Sequence, residues 1–324
     1  MISKKPTVFI TRKLPKKVET RMMELFNATL NDSDKLLTEE ELIKVFQKYQ
    51  IIVPSIADKI SKKVLNNSGN DLKLIANFGA GTDHIDLETA KSKNIIVTNS
   101  PGLLADDTAD LIMSLLLALP RRLYEGSKLV SEGNWNGWSP THMLGKRIYG
   151  KRLGIIGMGR IGQAVAKRAK AFGISIHYHN RKQIASSIEE LYEASYWRSL
   201  NEMIKRMDII SINCPLTDET KGLISKKRLE LMTKDCYLIN TSRCEIVDEK
   251  ALLYSLKNNK IAGAGLDVFR RKENGNSELL DAPNTILIPH LGSATVEGRI
   301  EMGEKVIVNI KTFIDGHNPP NRII

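Results

Sequence analysis

Cysteine is scarce in this 324-residue chain: Cys214, Cys236 and Cys244 cannot all pair, and their spacing matches no metal site. A disulfide scaffold is thereby excluded, no metal is expected, and a reducing, cytoplasmic setting follows. Long hydrophobic runs are also lacking. The most apolar helical stretch, 109–119, falls well short of the about 20 residues that cross a bilayer, and the opening MISKKPTVFITRK has no signal-peptide core. Aromatic residues are only 6%, and the Lys and Arg behind the net charge of +11 are scattered rather than blocked. That distribution argues against a nucleic-acid stripe and suits small anionic ligands. No repeat or low-complexity tract occurs. With 42% hydrophobic and 26% charged residues, the chain has the composition of a globular protein long enough for two α/β domains.

What is present is organised around 152–182, RLGIIGMGRIGQAVAKRAKAFGISIHYHNRK. The apolar run 153–156 suits a strand buried on both faces, and Gly157, Gly159 and Gly162 form Gly-x-Gly-x-x-Gly at the turn into a helix. Gly157 permits the turn, Gly159 admits a pyrophosphate to the backbone, and Gly162 allows close helix packing. The helix entered near Arg160 offers its free N–H groups to an anion. Ile161, Val165, Ala169 and Phe172 recur at helical spacing, and 174–178 resumes a strand. A carboxylate that reads the ribose 2′-hydroxyl belongs about 20 residues into such a motif. None lies between Gly162 and Glu189; Asn180, Arg181 and Lys182 occupy the place. A cationic pair beside a neutral amide suits a 2′-phosphate, so NADP(H) is preferred, with NAD(H) as the alternative. Solvated loop charges are the plainer explanation of the same residues.

Around this unit the chain alternates. Strands are expected at 7–10, 51–53, 72–77 and 95–98, with a capped helix opening at Thr38 and Glu41. After Asn99-Ser-Pro-Gly102 a single long helix is expected over 103–132. The loop 133–149, rich in glycine and tryptophan, reads as an oligomer contact or as a segment buried against its own domain. Strands follow at 209–213, 237–240, 262–267 and 285–289, with helices opening near Ser199, Ser225 and Asp248 and an amphipathic helix over 295–316. Alternating β and α elements imply parallel sheets covered on both faces, an α/β class with ligands beyond the carboxyl ends of the strands. Those ends hold Gly79-Ala-Gly-Thr-Asp83, Cys214-Pro215, Thr241-Ser-Arg243, Asp267 and His290-Leu-Gly-Ser293. They supply a cation, an imidazole, carboxylates and glycine-rich backbone, the set needed to hold a small anion and protonate an alkoxide as hydride arrives.

The segments NFGAGTDHID, GIIGMGRIG, NTSR, GLDVF and PHLGSAT, in this order, resemble the D-isomer-specific 2-hydroxyacid dehydrogenase family, and within it the glyoxylate/hydroxypyruvate reductases. The resemblance runs from about residue 72 to 322. It implies two doubly wound parallel-sheet domains, with a Rossmann cofactor domain over 103–290 inserted into a flavodoxin-like substrate domain of 1–102 and 291–324. It also implies a homodimer joined through 133–149, in which Trp138 or His142 shapes specificity across the interface. The implied activity is NADPH-preferring reduction of small 2-oxo acids, glyoxylate or hydroxypyruvate, to D-2-hydroxy acids. A dinucleotide-sensing binding protein on the same scaffold is the alternative.

By that resemblance His290 is the general acid and base, and Arg243 binds and polarises the 2-oxo acid. The backbone N–H groups of Ala80 and Gly81 hold its carboxylate. Thr108, Met158, Gly159, Arg160 and Ile161 meet the pyrophosphate, Cys214 and Pro215 line the adenosine side, and Thr241 and Asp267 face the nicotinamide side, near His290, Gly292 and Ser293. Two positions depart from the family pattern. The family's histidine-pairing Glu is expected three residues after Phe269, where Lys272 stands, with Glu273 one place later; either Glu273 supports His290 or Lys272 opposes its charge. Cys244 replaces the usual Gly after the arginine, as a redox-sensitive thiol or as a tolerated small residue.

Overall fold

Short runs rich in β-branched and aliphatic residues, such as 51–53 and 209–212, form the central strands of the computed structural model, which describes residues 5–102, 105–271 and 277–324. The chain divides into two units, Met1–Leu103 with Ala294–Ile324, and Leu104–Ser293. In the first, β1 (Thr7–Ile10), β2 (Asn27–Leu30), β3 (Ile51–Val53), β4 (Leu74–Ala76) and β5 (Ile96–Thr98) form one parallel sheet in the order β2-β1-β3-β4-β5. This is the flavodoxin-like order, whose reversal point lies between β1 and β3. β3 and β4 are buried along their whole length, as a sheet covered on both faces requires. The helix Glu39–Lys48 opens with the expected capping box, Thr38 and Glu41 each accepting the other's backbone N–H.

The helix Val296–Ile314, capped by Thr295, returns to the first unit and packs against the helix Lys16–Leu25. Gly303 makes the approach close, since a Cβ there would stand 2.4 Å from Val18. Its buried Asn309 donates to the Asn99 carbonyl at 3.2 Å and accepts the Asn321 N–H, while Asn99 N–H bonds the Asn321 carbonyl. The Ile323 N–H then bonds Val97, so the tail lies along β5.

The second unit holds β6 (Arg152–Ile156), β7 (Ser175–His179), β8 (Ser195–Tyr196), β9 (Ile209–Ile212), β10 (Tyr237–Asn240), β11 (Gly263–Leu266) and β12 (Thr285–Leu287). All are parallel, in the order β8-β7-β6-β9-β10-β11-β12. The topology reverses between β6 and β9, which is where a doubly wound sheet binds its ligand. Two apolar clusters, one about Met203, Ile210 and Leu252 and one about Ile112, Val165 and Tyr178, fill the two faces.

The expected α/β class with two doubly wound parallel sheets is found, with local differences. The edge strands β2 and β8 were not expected: β2 is nowhere fully buried and β8 has two residues. The helix expected over 103–132 is two helices, Ala105–Ala118 and Leu123–Ser131, and residues 103–104 lie outside the described residues. Pro120 cannot continue a helix, and Arg122 enters the left-handed region at φ 53°. At Ser199 the hydroxyl caps the Glu202 N–H, but the Glu202 carboxylate pairs with Lys205 instead of completing a capping box.

Candidate active site

The glycine turn after β6 is shaped by lack of room. Gly157 has φ 99°, and a Cβ there would lie 2.6 Å from the Cys214 nitrogen, where β9 exits beside it. At Gly162 a Cβ would meet the Gly157 carbonyl oxygen at 2.3 Å. Gly159 differs: nothing lies within 4 Å of its missing Cβ, so open space remains at the N-terminus of the helix Arg160–Ala171. Two crowded glycines and one that faces space make a phosphate cradle at the reversal point, and these residues fit a dinucleotide pyrophosphate.

Beyond β7, Asn180 does something the sequence did not announce. Its Oδ1 accepts the Met158 N–H at 2.7 Å, tying the β7 loop to the glycine turn, and its own carbonyl accepts the Tyr196 hydroxyl at 3.2 Å. The loop is further held by buried Tyr178, which donates to Glu189 at 2.6 Å and accepts the Ile184 N–H, and by Gln183, whose amide bonds both Glu189 oxygens. Burial and the adjacent Glu189 raise the Tyr178 pKa, keeping the phenol a donor. Arg181 and Lys182 stand exposed on this braced loop, and among the described residues neither makes an ion pair.

At the far strands the chemistry gathers around Asp267. It is 1% exposed, and its carboxylate accepts the N–H groups of Leu291 at 2.5 Å and Gly292 at 2.8 Å. Burial raises its pKa against these bonds and the nearby His290. The His290 N–H bonds the Asp267 carbonyl at 3.0 Å, and His290 itself has φ 55°, a conformation a non-glycine residue adopts only when its surroundings hold it. Thr108 donates to the Gly292 carbonyl at 2.9 Å. These bonds explain why 291–293 stay with the second unit. After β10, the Asn240 amide spans the turn, donating to the Arg243 carbonyl and accepting the Ser242 N–H, while the Ser242 hydroxyl donates to the Cys214 carbonyl. The turn that carries Thr241 and half-buried Arg243 is thus fastened to the strand exit beside Gly157.

Cys244 lies in the short helix Cys244–Ile246, where burial, and then Glu245, push its thiol up to about 12. That is opposite to the activation expected beside a guanidinium. Cys214 is pushed up to about 11 by burial. Lys272 and Glu273 lie outside the described residues. Among the described residues no group of three or more His, Cys, Asp or Glu is placed to hold a metal, and no helix is long and apolar enough to cross a membrane.

In the first unit the loop after β4 carries Ala80 and Gly81. Asn77 donates to the carbonyls of Gly79 at 3.0 Å and Gly81 at 2.9 Å, and Asn99 donates to that of Ala80 at 2.7 Å. Gly79 has no room for a side chain, since a Cβ would touch Ile56 at 2.6 Å. Nothing in the glycine-rich spelling of this loop signalled that neighbouring asparagines brace it.

A cradle for pyrophosphate, a buried carboxylate that fastens the backbone just after His290, and an arginine at the ends of one parallel sheet define a nicotinamide-dinucleotide-dependent oxidoreductase. Residues 113–292 match the family model described as D-isomer specific 2-hydroxyacid dehydrogenase, NAD binding domain. The glyoxylate reductase of Thermococcus litoralis is 42% identical over 98% of this chain and 97% of its own length, and that of Pyrococcus furiosus is 39% identical over 98% and 95%. Among solved structures, a protein from Thermus thermophilus superposes with a TM-score of 0.90 at 38% identity, covering 98% of this chain and 100% of that one. An NADPH-dependent glyoxylate/hydroxypyruvate reductase of Sinorhizobium meliloti, solved with NADP and malonate, gives a TM-score of 0.84 at 31% identity, covering 98% and 97%. The chain belongs to the D-isomer-specific 2-hydroxyacid dehydrogenase family, and it is an enzyme rather than a cofactor sensor.

Proposed function

We propose that the enzyme reduces glyoxylate, and hydroxypyruvate as a second substrate, to the corresponding 2-hydroxy acid, preferring NADPH to NADH. The observation that carries the reading is the fixed His290, held in a left-handed conformation at the strand ends by the backbone of Asp267. The bound cofactor supplies the hydride. His290 gives its proton to the carbonyl oxygen, and Arg243 binds and polarises the 2-oxo acid through its planar fork. Asp267, with Gly292 and Ser293 beside it, keeps the imidazole in place, and Glu273 supports its charge. Ala80 and Gly81 take the carboxylate through their N–H groups.

On the cofactor side Gly157, Met158, Gly159, Arg160, Ile161 and Gly162 receive the pyrophosphate together with Thr108. Thr241 meets the nicotinamide side, and Cys214 and Pro215 the adenosine side. Arg181 and Lys182 grip the 2′-phosphate, and Asn180 sets their loop. The relatives named as glyoxylate reductases, and the one named as NADPH-dependent, support the choice of substrate and cofactor.

The domain reading assigns 1–102 and 291–324 to substrate and 103–290 to cofactor. It makes the enzyme a cytoplasmic homodimer. Trp138 is 82% exposed and Trp135 54%, and the helix Leu123–Ser131 buries no residue, which supports a partner copy over this face rather than burial against its own unit. Initial rates with NADPH and NADH on glyoxylate and hydroxypyruvate test the reading. NADPH should give the higher kcat/KM, and His290→Ala should abolish turnover while cofactor binding persists. Equal kcat/KM for the two cofactors would remove the preference, and a fully active His290→Ala would remove the acid.

A further inference from the structure

In the loop after β4, three successive carbonyls point back into the first unit. Gly79 accepts from the Asn77 amide at 3.0 Å and from the Ser100 N–H at 2.9 Å. Ala80 accepts from the Asn99 amide at 2.7 Å, and Gly81 from Asn77 at 2.9 Å. A trans peptide plane directs its N–H away from its carbonyl, and among the described residues no peptide bond is cis. Fixing the Gly79 carbonyl therefore aims the Ala80 N–H outward, and fixing the Ala80 carbonyl aims that of Gly81. Among the described residues neither N–H has an acceptor. Each donor thus has a buried asparagine behind it, Asn77 (0% exposed) with the Ser100 N–H behind Ala80, and Asn99 (8%) behind Gly81.

The asparagines are themselves oriented. Asn77 Oδ1 faces His84 Nε2 at 3.1 Å; an amide oxygen only accepts, so the imidazole donates and the Asn77 NH2 is left for the two carbonyls. Asn99 is fixed at both backbone ends, its N–H on Asn321 and its carbonyl on Asn309.

We propose that Asn77 and Asn99 are positioning residues for substrate: by holding the Gly79, Ala80 and Gly81 carbonyls inward, they preset two backbone N–H groups for the carboxylate of a 2-oxo acid. The inference rests on the reading that Ala80 and Gly81 take that carboxylate. Neither asparagine touches the reacting atoms, so loosening them weakens carboxylate binding and leaves the chemical step nearly intact.

The test uses the full chain, with KM for glyoxylate, Ki for oxamate as a carboxylate probe that is not reduced, NADPH affinity and melting temperature. Asn77→Ala should raise KM and Ki about tenfold, with kcat within about twofold and NADPH affinity unchanged. Asn99→Ala, which removes the bond on the Ala80 carbonyl, should raise them comparably, and Asn99→Gln should recover part of the loss. Ala80→Pro deletes one of the two N–H groups and should act like Asn77→Ala. If Ala80→Pro raises both constants while both asparagine variants leave them unchanged, the positioning role is overturned and the carboxylate contact stands. If all three leave them unchanged, the contact falls too. A lowered melting temperature or kcat with unchanged KM and Ki would mark the asparagines as merely structural and overturn the proposal. Should Asn77→Ala fail to fold, Asn99→Ala against Asn99→Gln decides it by the same constants.

Discussion

The loops after β6 and β4 reach similar arrangements by different physics. After β6 the turn is dictated by sterics: Gly157 and Gly162 have no space for a Cβ, and the helix behind them orients the donors. After β4 Gly79 is crowded by a side chain, that of Ile56, and the amide planes are aimed by hydrogen bonds from Asn77, Asn99 and the Ser100 N–H. Steric exclusion is short-ranged and severe, so any side chain at position 157 disturbs the fold. Hydrogen bonds each contribute about 1 kcal/mol, so the second loop can be tuned at its braces, whereas the first breaks at its crowded glycines, 157 and 162.

The largest effect expected is at Gly157. Gly157→Ala combines a left-handed φ with a backbone clash and should cost about 3 kcal/mol, read as a lower melting temperature and lost cofactor binding. A stable Gly157→Ala variant would break the steric half of the comparison. Gly159→Ala sharpens it: with open space and φ −81° the melting temperature should hold, while KM for NADPH rises about tenfold as the new methyl enters the phosphate space.

A smaller effect concerns Asp267. Burial raises its folded pKa, so its contribution to stability is full below the unfolded value of 3.8 and is lost as pH rises through the folded one. Melting temperature should fall across that rise, and Asp267→Asn should flatten the slope. The smallest effect is at the cysteines. With Cys244 at about 12 and Cys214 at about 11, iodoacetamide at pH 8 should leave both unmodified and activity intact, as mass spectrometry with a parallel assay would read.

The same contrast explains what the sequence made legible. Glycine spacing records steric demands, so the β6 turn and its helix could be read directly, and buried strands such as β3 announce themselves by continuous apolar residues. A brace records nothing local. Asn77 and Asn99 act from 22 positions apart, through side-chain directions that only the folded sheet fixes. Asn180 stands where a ribose-reading carboxylate belongs, yet its oxygen is engaged by Met158, 22 residues earlier. The strand β2 went unseen because Asn27–Leu30 is an edge with no buried residue, where the apolar alternation that marks a strand is weakest. The broken helix after Gly102 was legible in Pro120, but the apolar periodicity on either side masked it.

The tail that lies along β5 bears on how the chain acquires its function during synthesis. The second unit is contiguous, so all its strands emerge together, while the first must wait for Val296–Ile314 and the residues after it. Asn309 and Asn321 secure the backbone of Asn99, and Asn99 in turn aims a donor of the β4 loop. A ribosome releasing this chain would therefore deliver the dinucleotide cradle first, and the loop encoded near the start would be finished last.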